Sequence, residues 1–231
     1  MDKDIISVII PVYNESKGLD ALFALLAPFK NRCEIIFVDG GSSDGTARLV
    51  EEKGGMVLHS PKGRANQMNC GAAAASGEIL WFLHADSAPP PDALSQIREV
   101  LGRGYSIGCF PLRFSSKHPY MIIHAWMSNN IRVRLLNIAF GDQGIFLRRA
   151  LFEELGGYAP IPLMEDYKLS LDARKAGHSI GMARGAITTS DRRYQANGRL
   201  RTMWRMQVLQ RRFRRGDSIE EIAKAYDTTV S

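Results

Sequence analysis

Four times in the first hundred residues, a short unbroken run of apolar residues is followed by a segment with helical spacing. Ile5–Val12 precedes Leu19–Phe29, and Glu34–Val38 precedes Asp44–Glu52. Met56–His59 precedes Ala65–Ala75, and Ile79–Leu83 precedes Asp92–Leu101. The runs are continuous rather than alternating, which is the pattern of strands covered on both faces. A strand covered on both faces and followed by a helix pairs in parallel with the next strand through that helix. The predicted fold class is therefore α/β, a Rossmann-like α/β/α sandwich with a mostly parallel sheet.

The regularity weakens after Gly104. Ile107–Phe114 reads as a strand, Tyr120–Leu136 as a helix, Ile145–Leu147 as a short strand and Arg149–Leu155 as a short helix. Asp166–Ala176 and Leu200–Phe213 read as longer helices, and Ser218 with Glu221 as a capping box before Ile222–Tyr226. At 231 residues the chain has room for one large domain. We expect one domain over residues 1–195, with its regular strand–helix part at about 1–104 and a less regular part at about 105–195. A C-terminal helical extension, 196–231, would pack on it.

Charge and cysteine content narrow the function classes. The net charge is +6, and nine arginines with no acid lie between Arg192 and Arg215. That favours anionic partners, and it allows peripheral membrane contact through the arginine-rich segment. Aromatic residues suited to stacking on bases are sparse there, only Tyr194, Trp204 and Phe213, so nucleic acid is not the expected partner. Cys33, Cys70 and Cys109 form no CxxC pair and read as buried thiols. No run approaches the ~20 apolar residues of a membrane helix. Asp2 and Asp4 around Lys3 do not form the charge pattern of a signal peptide, which predicts a cytoplasmic protein.

Open parallel sheets bind ligands at the C-terminal ends of their strands. Here those ends read Pro11-Val12-Tyr13-Asn14-Glu15, Asp39-Gly40-Gly41-Ser42-Ser43-Asp44-Gly45-Thr46 and His84-Ala85-Asp86. Carboxylates gathered at such a crevice require partners such as a base edge, a ribose or a cation. Neither GxGxxG nor a P-loop is present, which disfavours a dinucleotide or P-loop site. Lys62-Gly63-Arg64 opens the third helix, where free N–H groups and a guanidinium suit an anion.

These segments, in this order and followed by Glu165-Asp166, resemble the signature of family 2 glycosyltransferases of the GT-A fold, from about Ile5 to Arg193. The resemblance implies that Pro11, Tyr13 and Glu15 frame the base and ribose of a UDP- or GDP-sugar, with Asp39 bonded to a base N–H. Arg64 is expected near the donor phosphates or ribose. Asp86, with His84, would hold a divalent cation, Mg²⁺ or Mn²⁺. Asp166 would be the catalytic base, with Asp142, Gln143 and Glu165 on the acceptor side. One base and direct attack imply inversion at the anomeric carbon. Two positions depart from the family pattern: Gly40 stands where a second aspartate is usual, and His84 where the first aspartate of DxD is usual. Gly63-Arg64-Ala65-Asn66-Gln67, His84-Ala85-Asp86 and Gly141-Asp142-Gln143-Gly144 further resemble a small bacterial branch linked to arsenosugar biosynthesis, which implies a small soluble acceptor. The alternatives are a nucleotidyltransferase and a non-catalytic nucleotide-sugar-binding protein. The first lacks its glycine-rich basic loop after the first strand, and retention of Asp86 and Asp166 speaks against the second.

Overall fold

The computed structural model describes residues 5–191 and 198–227. A seven-stranded sheet runs in the order β3-β2-β1-β4-β8-β6-β9. Its strands are β1 (Ile6–Val12), β2 (Glu34–Asp39), β3 (Met56–His59), β4 (Ile79–Phe82), β6 (Ile107–Cys109), β8 (Phe146–Arg148) and β9 (Ile180–Met182). β8 alone runs antiparallel to both its neighbours. A small second sheet joins β5 (Ser87–Ala88), β10 (Ile187–Thr189) and β7 (Leu112–Phe114).

The helices are α1 (Leu19–Leu26), α2 (Thr46–Glu52), α3 (Arg64–Ala74), α4 (Ala93–Gly102), α5 (Pro119–Met127), α6 (Arg149–Glu154), α7 (Glu165–Lys175), α8 (Arg199–Arg215) and α9 (Ile219–Asp227). They cover both faces of the large sheet. Ile6, Val8, Ile10 and Val12 of β1 point into one core with α1, α2 and α4. Ile9 points into the other, with α3, α6 and α7. That two-sided burial is why the strand runs are continuously apolar.

The chain lays down β1, β2 and β3 outward to one side, then returns to place β4 on the other side of β1. The order reverses between β1 and β4, and such a reversal opens a crevice at the C-terminal edge of the sheet. α3 lies close over β1 and β2. A methyl at Gly71 would stand 2.5 Å from Ile9 Cγ2 and 3.0 Å from Val38 Cγ2.

Three expectations are corrected. Ile107–Phe114 is not one strand: Pro111, which has no N–H to give a ladder, separates β6 in the large sheet from β7 in the small one. The helix expected over Tyr120–Leu136 changes at Ser128 from α to a π-helical stretch, Ser128–Leu135. The capping box is half made: Ser218 Oγ accepts the Glu221 N–H at 3.4 Å, but the Glu221 carboxylate pairs with Arg212 at 3.0 Å. β5, β9 and β10 carry no distinctive apolar run and escape the sequence pattern. α8 and α9 do pack on the domain, through Leu209 and Ile222 against Ile138, Leu163 and Tyr167. The boundary expected at residue 195, together with Arg192, Arg193 and Tyr194, lies outside the described residues.

The close approach of α3 gives a stability test. Gly71→Ala is expected to lower the unfolding free energy by about 1–3 kcal/mol, the usual cost of overpacking. A reduced urea midpoint at unchanged slope would show this, and an unchanged midpoint would mean that the helix can lift off the sheet without cost.

Candidate functional site

The loops after β1 and β2 are zipped together. The Asn14 N–H donates to Ser42 Oγ at 2.9 Å, and Asn14 Oδ1 accepts from the Ser43 N–H at 2.9 Å. The Glu15 N–H donates to Thr46 Oγ1 at 2.9 Å, and the Ser16 N–H to Asp44 Oδ2 at 3.0 Å. Asp39 is buried at the end of β2. Its Oδ2 accepts the N–H groups of Gly41 at 3.0 Å and Ser42 at 2.9 Å, and its Oδ1 accepts the Ser42 hydroxyl. Three of its roughly four lone-pair sites are thus used by the turn itself. Tyr13 stands at the exposed mouth with Lys62 Nζ 4.2 Å from its ring centroid. Pro11 lies in β1 beside Val38.

Gly40 has a local reason. The Gln67 side chain donates to the carbonyls of Val12 and Val38, each at 2.8 Å, and so ties β1 to β2. A Cβ at residue 40 would come within 3.0 Å of the Gln67 amide carbon. The acid usual at this position would have to displace that tie.

Across the crevice lies a cavity of about 200 Å³ whose wall includes Arg64, His84, Asp86, Asp142 and Asp166. Arg64 opens α3 and Glu165 opens α7, and the two form an ion pair of 2.9 Å. The residue before α7, Met164, is left-handed at φ 67, and because successive helical residues point about 100° apart, Glu165 and Asp166 face different sides of the helix start. Asp166 Oδ2 accepts the Gly141 N–H at 2.7 Å, and its Oδ1 the Tyr167 N–H at 2.6 Å. A Cβ on Gly141 would stand 2.6 Å from His84 Nε2 and 3.3 Å from Asp166 Oδ2. His84, Gly141 and Asp166 therefore meet at one point.

The electrostatics follow from burial. Desolvation, then the nearby Arg64 charge, pushes His84 down to about 3, so its imidazole is neutral near pH 7. Burial, then the Asp166 charge, pushes Asp142 up to about 6. Glu165 is raised by burial and by Asp166, with Arg64 opposing.

Two sequence expectations are corrected. Gln143 does not face the cavity: it is fully buried, its Oε1 accepting the Phe140 N–H at 3.2 Å and its Nε2 donating to the Phe110 carbonyl at 3.4 Å. Glu165 is likewise buried and turned to the Arg64 guanidinium, away from the cavity wall. Other wall residues were missed: Phe114, His124, Arg132, Thr189, Thr202, Met206, Gln210 and Tyr226. His124 and Arg132 left a faint signal, as polar residues on a largely apolar stretch. Thr202 and Gln210 left none, because only the docking of α8 brings them to the site. Trp204, within the helix expected over Leu200–Phe213, is exposed.

No group of three or more His, Cys, Asp or Glu side chains is placed to hold a metal among the described residues. Asp86 and His84 instead both line the cavity, from the turn that follows β4. One carboxylate and one neutral imidazole fit a divalent cation whose other ligands are diphosphate oxygens and water.

A family model described as Glycosyl transferase family 2 matches residues 7–156. The chain is 30% identical over 211 residues to the probable glycosyltransferase YdaM of Bacillus subtilis, across 79% of this chain and 50% of that protein. It spans half or less of the length of the curated relatives it matches. Among solved structures, S. aureus TarS 1–349 in complex with UDP-GlcNAc superposes with a TM-score of 0.64 at 17% identity, over 80% of this chain and 58% of that one. The mannosyltransferase PcManGT from Pyrobaculum calidifontis, in complex with GDP-Man and Mn²⁺, superposes with a TM-score of 0.63 at 21% identity, over 90% and 61%. At these identities the likeness is one of fold.

The carboxylate cluster can be tested directly. In a ¹³C NMR titration Asp142 is expected to titrate near pH 6, above its ordinary 3.8. Asp166→Asn should lower that midpoint, since it removes a neighbouring negative charge. A midpoint at the ordinary value in the parent protein would contradict the burial of Asp142.

Proposed function

The chain belongs to glycosyl transferase family 2, and from that premise we propose that it is an inverting transferase moving a sugar from a nucleoside-diphosphate sugar to a hydroxyl of a small acceptor. The observation that carries this reading is the meeting of Asp166, Gly141 and His84 in one cavity, with Asp86 and Arg64 in the same wall. A base, a leaving-group site and a half-open space for an acceptor would then lie together.

The donor nucleotide would lie over the zipped loops, between Pro11, Tyr13, Glu15 and Asp39, with UDP and GDP the favoured nucleotides. Asp39 holds the turn and keeps about one lone-pair site for a base N–H. Arg64, oriented by Glu165, would place its positive charge beside the diphosphate. Asp86 and His84 would hold Mg²⁺ or Mn²⁺, which when bound neutralises charge developing on the leaving diphosphate. The two backbone donors on Asp166 hold its carboxylate in orientation while leaving lone pairs for the acceptor hydroxyl. As that hydroxyl attacks the anomeric carbon, its proton passes to Asp166, and attack from the face opposite the leaving group inverts the centre. Asp142, anionic above about pH 6, would accept a hydrogen bond from a second acceptor hydroxyl. The small volume and the polar wall residues Thr189, Thr202 and Gln210 support a small, polar acceptor. The narrower sequence resemblance points the same way.

Two experiments test the roles. Asp166→Asn keeps an oxygen for the Gly141 N–H but takes no proton. Single-turnover transfer at saturating donor is expected to fall by ~10²–10⁴-fold while the donor-binding isotherm is unchanged. Near-normal turnover would move the base to Asp142. Separately, Asp86→Ala should abolish stimulation by Mn²⁺, and full activity in EDTA would overturn the metal role and leave Arg64 as the cation for the leaving group.

A further inference from the structure

Charge is divided sharply along this chain. Residues 100–141 and 192–216 together hold fourteen of the 30 basic residues and none of the 24 acidic ones, so the remainder is net acidic. α5 with its π-helical continuation, and α8, are the helices of these two acid-free stretches. Both wall the same cavity from within, α5 through His124 and α8 through Thr202 and Met206. They touch where the Tyr120 hydroxyl meets Met203 Sδ at 2.9 Å. Their outer faces therefore lie side by side.

Those outer faces are apolar where a soluble surface is normally polar. Ile122, Ile123 and Trp126 project from α5, with Trp126 59% exposed. Leu200 and Trp204 project one helical turn apart from α8, with Trp204 70% exposed. Leu135 lies exposed at the end of the π-helical stretch. Further along α8, Arg211 and Arg215 continue the stripe of Leu200 and Trp204 at helical spacing, and all four are exposed. Tryptophan and aliphatic side chains beside arginines, with no acid between them, form the pattern of a helix lying in a lipid headgroup layer.

We propose that the paired outer faces of α5 and α8 dock on an anionic lipid bilayer. Trp126, Trp204 and the neighbouring aliphatic residues enter the headgroup–acyl boundary, while the arginines pair with lipid phosphates. The charge argues against a second copy of this chain, since like basic faces would meet. Docking would set the cavity, which these two helices wall, beside the membrane surface.

The test needs no donor or acceptor, so its failure is separate from failure of the proposed reaction. The whole protein is floated with vesicles of equal parts phosphatidylglycerol and phosphatidylcholine, and with pure phosphatidylcholine vesicles as the comparison. Binding to the anionic vesicles is expected, weakened by added salt. A blue shift of tryptophan emission should accompany it, because Trp81 is already buried and only Trp126 and Trp204 can change surroundings. The double variant Trp126→Ser/Trp204→Ser, exposed positions that leave the core intact, is expected to bind at least about tenfold more weakly. Nucleotide-sugar binding by that variant should be unchanged. Absence of binding to the anionic vesicles, or equal binding by the variant, would overturn the proposal. So would light scattering that shows a dimer converted by the same substitutions to a monomer, which would make this face a self-interface.

Discussion

The ion pair between Arg64 and Glu165 joins two halves of the molecule that the chain builds separately. Arg64 starts α3, and Glu165 starts α7, laid down a hundred residues later. The pair is asymmetric: the Arg64 side chain is 41% exposed and that of Glu165 2%. The arginine thus keeps part of its hydration, while the carboxylate depends on it. Removing the arginine would take away the one charge that opposes burial and Asp166, and would push the Glu165 carboxyl further up. Because both residues sit at helix starts, the pair also sets where two positive dipole ends point. His84, Asp142 and Asp166 are arranged around that junction, and their mutual electrostatics follow from it.

A second constraint is backbone economy at the crevice. Gln67, Asn14, Asp39 and Asp44 spend side-chain hydrogen bonds on the main chain, so the loops after β1 and β2 are held to each other and to the sheet. Rigid loops lose little conformational entropy on binding. Gly40 belongs to the same economy, because a side chain there would compete with Gln67 for one small volume. The departure from the family's acidic pair is a packing consequence that can be read at atomic distances.

The C-terminal helices serve two surfaces at once. Their inner residues complete the cavity and a small core of their own with Ile138, Leu163 and Tyr167. Their outer residues present arginines and tryptophan to solvent. No helix among the described residues is long and apolar enough to cross a membrane.

Local periodicity was enough to determine the first four strands and helices, the parallel sheet and the crevice, because continuous apolar runs report two-sided burial without reference to distant residues. Arg64, His84 and Asp86 stand out in the sequence as polar groups at a helix start and after a strand, while Asp142 and Asp166 came only with the resemblance to family 2 glycosyltransferases. Tertiary structure alone decided that Gln143 and Glu165 turn inward to the Phe110 and Phe140 backbone and to Arg64, respectively. It alone split Ile107–Phe114 between two sheets and exposed Trp204. It alone brought Thr202, Gln210 and Tyr226 to the cavity. The physical reason is range: burial and hydrogen-bond partners depend on which elements meet, and residues as far apart in sequence as Arg64 and Glu165 meet through packing that no local spacing encodes.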